Sequence, residues 1–177
     1  MGSSKTANAL MVNYNYMERG KKALLMKTDV DTRDGKHIIK SRIGLESSGY
    51  LLSEVISTFT EDDIKKYDCL IVDEIQFATR DEVDWLSDVV DKLSIPVMCY
   101  GLRADFRNEL FEGSQRLLTL ADEIHEVKTV CWCGAKATCN ARFNENGIVR
   151  EGEQIEIGAN DKYIGLCRKH YKEGNLG

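Results

Sequence analysis

Apolar residues change their spacing several times along the chain, and the changes mark alternating helices and strands. After Thr6, the positions Ala7, Leu10, Met11, Tyr14 and Met17 recur at helical spacing, and Gly20 supplies a C-terminal stop. A helix is therefore predicted with Lys5 and Thr6 at its N-terminus. The run Ala23-Leu24-Leu25-Met26 reads as a buried strand that delivers Asp29, Asp31 and Arg33 just past its C-terminal end. A second such run, Cys69-Leu70-Ile71-Val72, ends in Asp73-Glu74. Thr79 and Glu82 form a capping-box pattern ahead of Val83, Leu86, Val90 and Leu93, which predicts a helix ending near Ser94. Ile95 to Gly101 reads as a further strand, Leu102 to Phe111 as a loop and Gln115 to Ala121 as a short helix. His37 to Ile43 is a candidate strand, and Leu51 to Phe59 fits helix and strand alike. Alternation of this kind over about the first 130 residues predicts an α/β architecture.

A length of 177 residues suits one domain of ordinary size, or one domain with a small appendage, and leaves no room for two full catalytic modules. With 42% hydrophobic residues and a single proline, the composition excludes disordered, collagen-like and fibrous classes. No run reaches the roughly 18–20 apolar residues that span a bilayer, and the opening MGSSKTANAL lacks the apolar core of a signal peptide. A cytoplasmic protein without a membrane partner is expected. The net charge of −5, from 24 basic and 29 acidic residues, argues against bulk nucleic-acid binding. Six cysteines in that compartment are core thiols, redox groups or metal ligands rather than structural disulfides.

Gly2-Ser3-Ser4-Lys5-Thr6 matches the second half of a phosphate-binding loop, G-x-x-x-x-G-K-[ST], with Ser4 in place of the second glycine. Such a loop holds phosphates on backbone N–H groups and a helix N-terminus, with lysine on the β and γ oxygens and the hydroxyl on magnesium. The same five residues also suit an ordinary flexible terminus. Asp73 after an apolar strand fits the carboxylate that orients magnesium and its waters, and Glu74 fits a proton acceptor; both also fit solvated loop acids. Cys131-x-Cys133 with Cys167-x-x-His170 makes three thiolates and an imidazole, a closed tetrahedral set suited to structural zinc. Unrelated core cysteines with a surface histidine are the alternative. Cys69 and Cys99 read as packing residues, Cys139 has no matching partner, and His37 and His125, in strand-like stretches, read as structural. Phe77, Phe106, Phe111 and Tyr163 are either core or the walls of a pocket for a planar base.

Taken in order, Asp31-Thr32-Arg33, Ser41 to Leu45, Asp73 to Phe77, Tyr100 to Arg107, Glu109 to Gln115, Val130 to Gly134, Gly152-Glu153-Gln154 and Cys167 to Glu173 resemble the type II thymidine kinases. The likeness runs over essentially the whole chain and is nearest the enterobacterial and tailed-phage branch. It implies a phosphate-loop α/β core with a mainly parallel sheet over residues 1–128, and a small zinc-bound domain with a lasso loop over residues 129–177. It also implies transfer of the ATP γ-phosphoryl group to the 5′-hydroxyl of deoxythymidine in nucleotide salvage. In that reading Glu74 is the catalytic base. Gly2, Ser3, Ser4, Lys5 and Thr6 serve the phosphates and Mg2+, with Asp73 as a second magnesium-side acid. Arg33 steadies the transferring phosphate and Asp31 lies near the ribose. Gln76, Phe77, Leu102, Phe106 and Phe111 surround the nucleoside, joined by Tyr163 and the backbone of Gly158 to Lys162 from the lasso. Homotetramer assembly and feedback by the end-product triphosphate belong to the same expectation.

The family carries a strand and the start of the phosphate loop ahead of the position of Gly2, and glycine where this chain has Ser4. A missing internal strand leaves backbone groups unpaired at about 1–3 kcal/mol each if buried. Three functions therefore compete: an active deoxythymidine kinase, an N-terminally truncated and catalytically silent relative that keeps the zinc fold and nucleoside pocket, and a zinc-ribbon adaptor for nucleic acid. The net charge disfavours the third.

Overall fold

Two apolar runs that bury both faces set the frame. In the computed structural model, which describes residues 4–30, 35–155 and 162–177, the chain opens with α1 (Lys5–Glu18) and β1 (Ala23–Lys27). A hairpin of β2 (Ile38–Lys40) and β3 (Glu46–Ser48) follows, then β4 (Tyr50–Leu51), α2 (Leu52–Thr58) and α3 (Glu61–Ile64). Next come β5 (Cys69–Asp73), a 3-10 turn at Ile75–Phe77, α4 (Arg80–Leu93), β6 (Val97–Cys99) and α5 (Glu112–Leu120). The order β4-β1-β5-β6 forms a wholly parallel sheet.

Residues of β1 and β5 divide between the faces by strand alternation. Leu24, Met26, Leu70 and Val72 pack with α2, α3 and α4 through Leu52, Val55, Ile64, Val83 and Leu86. Leu25, Cys69 and Ile71 pack with Ala9 and Leu10 of α1. Helices on both faces explain why these strands are continuous apolar runs without polar alternation. The β1–β5 register runs from Ala23 opposite Cys69 to Lys27 opposite Asp73, so both strands end at one edge. The outer side of β6 has no strand partner among the described residues.

Several expected boundaries move. The candidate strand from His37 shortens to β2, because His37 lies in the preceding turn, and the ambiguous Leu51 to Phe59 stretch is mainly helix α2. The strand expected from Ile95 to Gly101 narrows to β6, and the helix expected from Gln115 begins earlier, at Glu112. α4 has the expected capping box, Thr79 and Glu82 exchanging hydrogen bonds, and stops at Ser94. His125 is in an exposed loop beside Glu123 instead of a strand.

Beyond the first sheet, β7 (Cys139–Asn144), β8 (Gly147–Val149) and β9 (Tyr163–Leu166) make an antiparallel sheet in the order β8-β7-β9, followed by α6 (Arg168–Glu173). Its own small core holds Cys131, Ala137, Cys139, Ala141, Leu166 and Tyr171. The loop after β6 joins the two sheets: the Tyr171 hydroxyl donates to the Phe106 carbonyl at 2.6 Å and Asn140 Nδ2 to the Ala104 carbonyl at 3.3 Å.

Candidate functional site

The N-terminus of α1 meets the C-terminal edge of β5. Ser4 is the residue at the N-cap, with φ 51° and ψ 20°, a left-handed conformation, and its side chain makes no capping hydrogen bond. Two residues on, the Thr6 hydroxyl donates to Asp73 Oδ2 at 2.7 Å. Asp73 is 3% exposed, and its other oxygen, Oδ1, is buried without a hydrogen-bond partner among the described residues. Burial, and then the neighbouring Glu74, push its carboxyl up to about 6 against the opposing pull of Thr6 and Lys5. Burial also lowers the Lys5 amine, while Glu74 and Asp73 raise it and Arg42 lowers it further. The arrangement joins one cation, one hydroxyl and two carboxylates at a helix N-terminus. That chemistry suits a polyphosphate with a divalent ion, and the orphaned Asp73 oxygen offers the ion a ligand.

Glu74 leaves β5 in the left-handed region as well, with φ 53° and ψ 33°. A non-glycine residue there is strained, and its surroundings hold it in place. The Thr28 hydroxyl donates to the Glu74 carbonyl at 3.1 Å, and Gln76 Nε2 donates to Glu74 Oε2 at 2.5 Å. Gln76 is 1% exposed, and its Oε1 accepts from the Leu102 N–H at 3.0 Å. A Cβ on Gly101 would stand 2.8 Å from both Gln76 Oε1 and Ile75 Cγ2, so only glycine lets this strand end pass so closely. Gln76 thus ties the acid to the loop that carries the aromatic residues.

Phe77, at the end of the 3-10 turn, and Phe111, at the end of that loop, meet edge to face with centroids 5.6 Å apart. Leu102 is half-buried, and its carbonyl accepts from the Ser114 hydroxyl at 2.6 Å. Phe106 is buried, with the Arg142 guanidinium carbon 3.8 Å from its ring centroid. Tyr163, at the start of β9, accepts from Arg142 Nε at 2.7 Å. Asp105 fixes the loop's turn by accepting from the backbone N–H groups of Arg107 and Glu109 and from Gln154. Burial opposes ionisation there, but the hydrogen bonds from Glu109, Gln154 and Arg107 hold the carboxyl below its ordinary value.

Cys131, Cys133, Cys167 and His170 offer four ligand atoms that all lie within 4.8 Å of one another. His170 Nδ1 is 3.4 Å from Cys131 Sγ and 3.5 Å from Cys167 Sγ. Tetrahedral zinc with Zn–S near 2.3 Å spaces its ligands by about 3.8 Å, so the set fits that ion. Against the cost of burial, the N–H groups of Cys133 and Cys167, with His170, bring the Cys131 thiol down to about 6, favouring the thiolate a metal needs. The half-exposed Trp132 stacks on the His170 ring at 4.3 Å.

Of the residues singled out from sequence, the structure brings Ser4, Lys5, Thr6, Asp73 and Glu74 to one edge of the sheet and gathers the four cysteine and histidine ligands. Gly2, Ser3, Asp31, Arg33 and Gly158 lie outside the described residues. Cys69 is buried in the core and Cys99 packs against it, as packing residues, and Cys139 is buried in the second core. Thr28 and Arg142 carry no sequence signal of a role, and Gly101 and Asp105 enter only within the segment Tyr100 to Arg107. Asp105 carries a turn signal, an aspartate two residues ahead of the N–H it accepts, whereas Arg142 has none, because nothing local distinguishes a buried strand arginine from an exposed one.

A family model described as thymidine kinase matches residues 1–171. The thymidine kinase of Legionella pneumophila strain Lens is 47% identical over 183 residues, covering 100% of this chain and 88% of its own length. Those of Zymomonas mobilis and Haemophilus influenzae strain Rd are 47% and 46% identical over 178 residues, each covering 98% of this chain and 92% of its own length.

Proposed function

The chain belongs to the thymidine kinase family, and we propose that it transfers the γ-phosphoryl group of ATP to the 5′-hydroxyl of deoxythymidine. The observation that carries this reading is the meeting of Lys5, Thr6, Asp73 and Glu74 at the N-terminus of α1 and the end of β5. Lys5 and the backbone around Ser4 bind the β and γ phosphates. Thr6 and Asp73 would hold magnesium, which would supply positive charge to offset that of the phosphates. Glu74, oriented by Gln76, takes the proton of the 5′-hydroxyl. As that oxygen bonds to the γ phosphorus, the bond from phosphorus to the β–γ bridging oxygen breaks and ADP departs. Arg33 and Asp31 contact the transferring phosphate and the ribose in this reading.

In the same reading Phe77, Leu102, Phe106, Phe111 and Tyr163, with the backbone of Gly158, serve the thymine base, and Cys131, Cys133, Cys167 and His170 would hold a zinc ion that fastens the chain on which Tyr163 lies. Assembly as a homotetramer in the cytoplasm belongs to the same proposal. Among the described residues no helix is long and apolar enough to cross a membrane. A coupled ATP-consumption assay tests the proposal. Consumption that depends on deoxythymidine, with zinc and magnesium present, is expected; consumption at the level without nucleoside overturns it.

A further inference from the structure

The antiparallel sheet carries a buried cation that the proposed reaction does not use. Arg142, on β7, is 4% exposed. Its guanidinium carbon lies 3.8 Å from the Phe106 centroid and 5.2 Å from that of Tyr163, and its Nε donates to the Tyr163 hydroxyl at 2.7 Å. Nη2 reaches the Gln154 carbonyl at 3.5 Å, while Gln154 Nε2 donates to Asp105 at 3.1 Å. The guanidinium therefore bridges the loop after β6 and the start of β9, and the two aromatic rings it touches come one from that loop and one from the antiparallel sheet.

Burying a guanidinium is costly, and an apolar side chain of similar length would fill the same space without that cost. What the apolar side chain lacks is the flat cationic face that stacks on a ring and the in-plane N–H that fixes a hydroxyl. We propose that Arg142 is a positioning residue for the base pocket: it holds the Phe106 and Tyr163 rings in one fixed relation, so that the pyrimidine meets a preformed wall. This rests on the reading of those two rings as pocket residues. Arg142 acts through those two rings, so its effect shows in nucleoside affinity, not in ATP affinity.

A double-mutant cycle tests it, with steady-state kinetics on the full chain bearing Arg142→Met, Tyr163→Phe or both, and on Arg142→Lys. Arg142→Met and Tyr163→Phe should each raise KM for deoxythymidine about tenfold, the size of one charge-assisted hydrogen bond, with KM for ATP unmoved. The double variant should be no worse than Arg142→Met, and Arg142→Lys should not restore affinity. If Arg142→Met does not fold, as judged by zinc content and thermal midpoint, Arg142→Lys replaces it in the cycle. Additive effects, or equal rises in both KM values, overturn the assignment of Arg142 while leaving the kinase reading intact. An unaltered chain that does not phosphorylate deoxythymidine overturns both.

Discussion

Replacing Ser4 with glycine should tighten the binding of magnesium-ATP. Ser4 sits at φ 51° and ψ 20°, where a Cβ crowds the backbone at a cost of about 1–2 kcal/mol. Its hydroxyl makes no capping hydrogen bond, so removing the side chain forfeits no cap at the helix start. Against the relief stands the greater backbone freedom that glycine loses on ordering, about 0.5–1 kcal/mol. The net gain of about 1 kcal/mol corresponds to about fivefold in affinity if the loop orders on binding phosphate. Ser4→Ala keeps the Cβ and discards the hydroxyl, and should bind like the unaltered chain. Calorimetric titration of magnesium-ATP into the three proteins reads the difference directly. Glycine no tighter than serine, or alanine gaining as much as glycine, would refute the claim that backbone strain limits this loop.

Protonation of Asp73 should couple to nucleotide binding. Its folded value of about 6 lies above the ordinary 3.8, so its contribution to stability is complete below pH 3.8 and is lost as pH rises through 6. Magnesium-ATP affinity runs the other way and weakens below pH 6. Titration at pH 6 in buffers of different ionisation enthalpy should show about half a proton released per ATP bound, and no release contradicts the assignment. Replacing Cys167 with serine should release the metal and raise protease sensitivity between Asn140 and Tyr163; full zinc occupancy in that variant refutes the ligand set. Gly101→Ala should push Gln76 off Glu74 and lower kcat more than it raises KM for ATP, whereas unchanged kinetics would mean the close approach is idle.

How far this could be read in advance varied with the range of the forces involved. α1, β1, β5 and α4 are set by local patterns, an apolar period or a capping box, and their ends emerge within a few residues of expectation. The stretch from Leu51 to Phe59 was ambiguous because its apolar residues suit both periods, and only packing of Leu52 and Val55 under the sheet decides for helix. The meeting of Lys5, Thr6, Asp73 and Glu74 was legible because the phosphate-loop pattern sets the first two at a helix start and the last two at a strand end. The backbone angles of Ser4 and Glu74, and the clamp of Gln76 between Glu74 and Leu102, were not legible. The Gln76 clamp arises when β5 and the end of β6 are brought side by side, which no local spacing records. Arg142 is the extreme case, since its partners lie 36 positions before it and 21 after it along the chain.

The central claim is that Glu74 removes the proton of a nucleoside hydroxyl as ATP gives up its γ-phosphoryl group. Single-turnover transfer from γ-labelled ATP, run side by side on the unaltered chain and on Glu74→Gln, tests it most directly. The unaltered chain should place the label on the 5′-oxygen of deoxythymidine. The variant should bind the nucleoside with similar affinity yet transfer the label about 10²–10⁴-fold more slowly. Equal transfer rates in the two proteins, or label that never reaches the 5′-oxygen, would contradict the account.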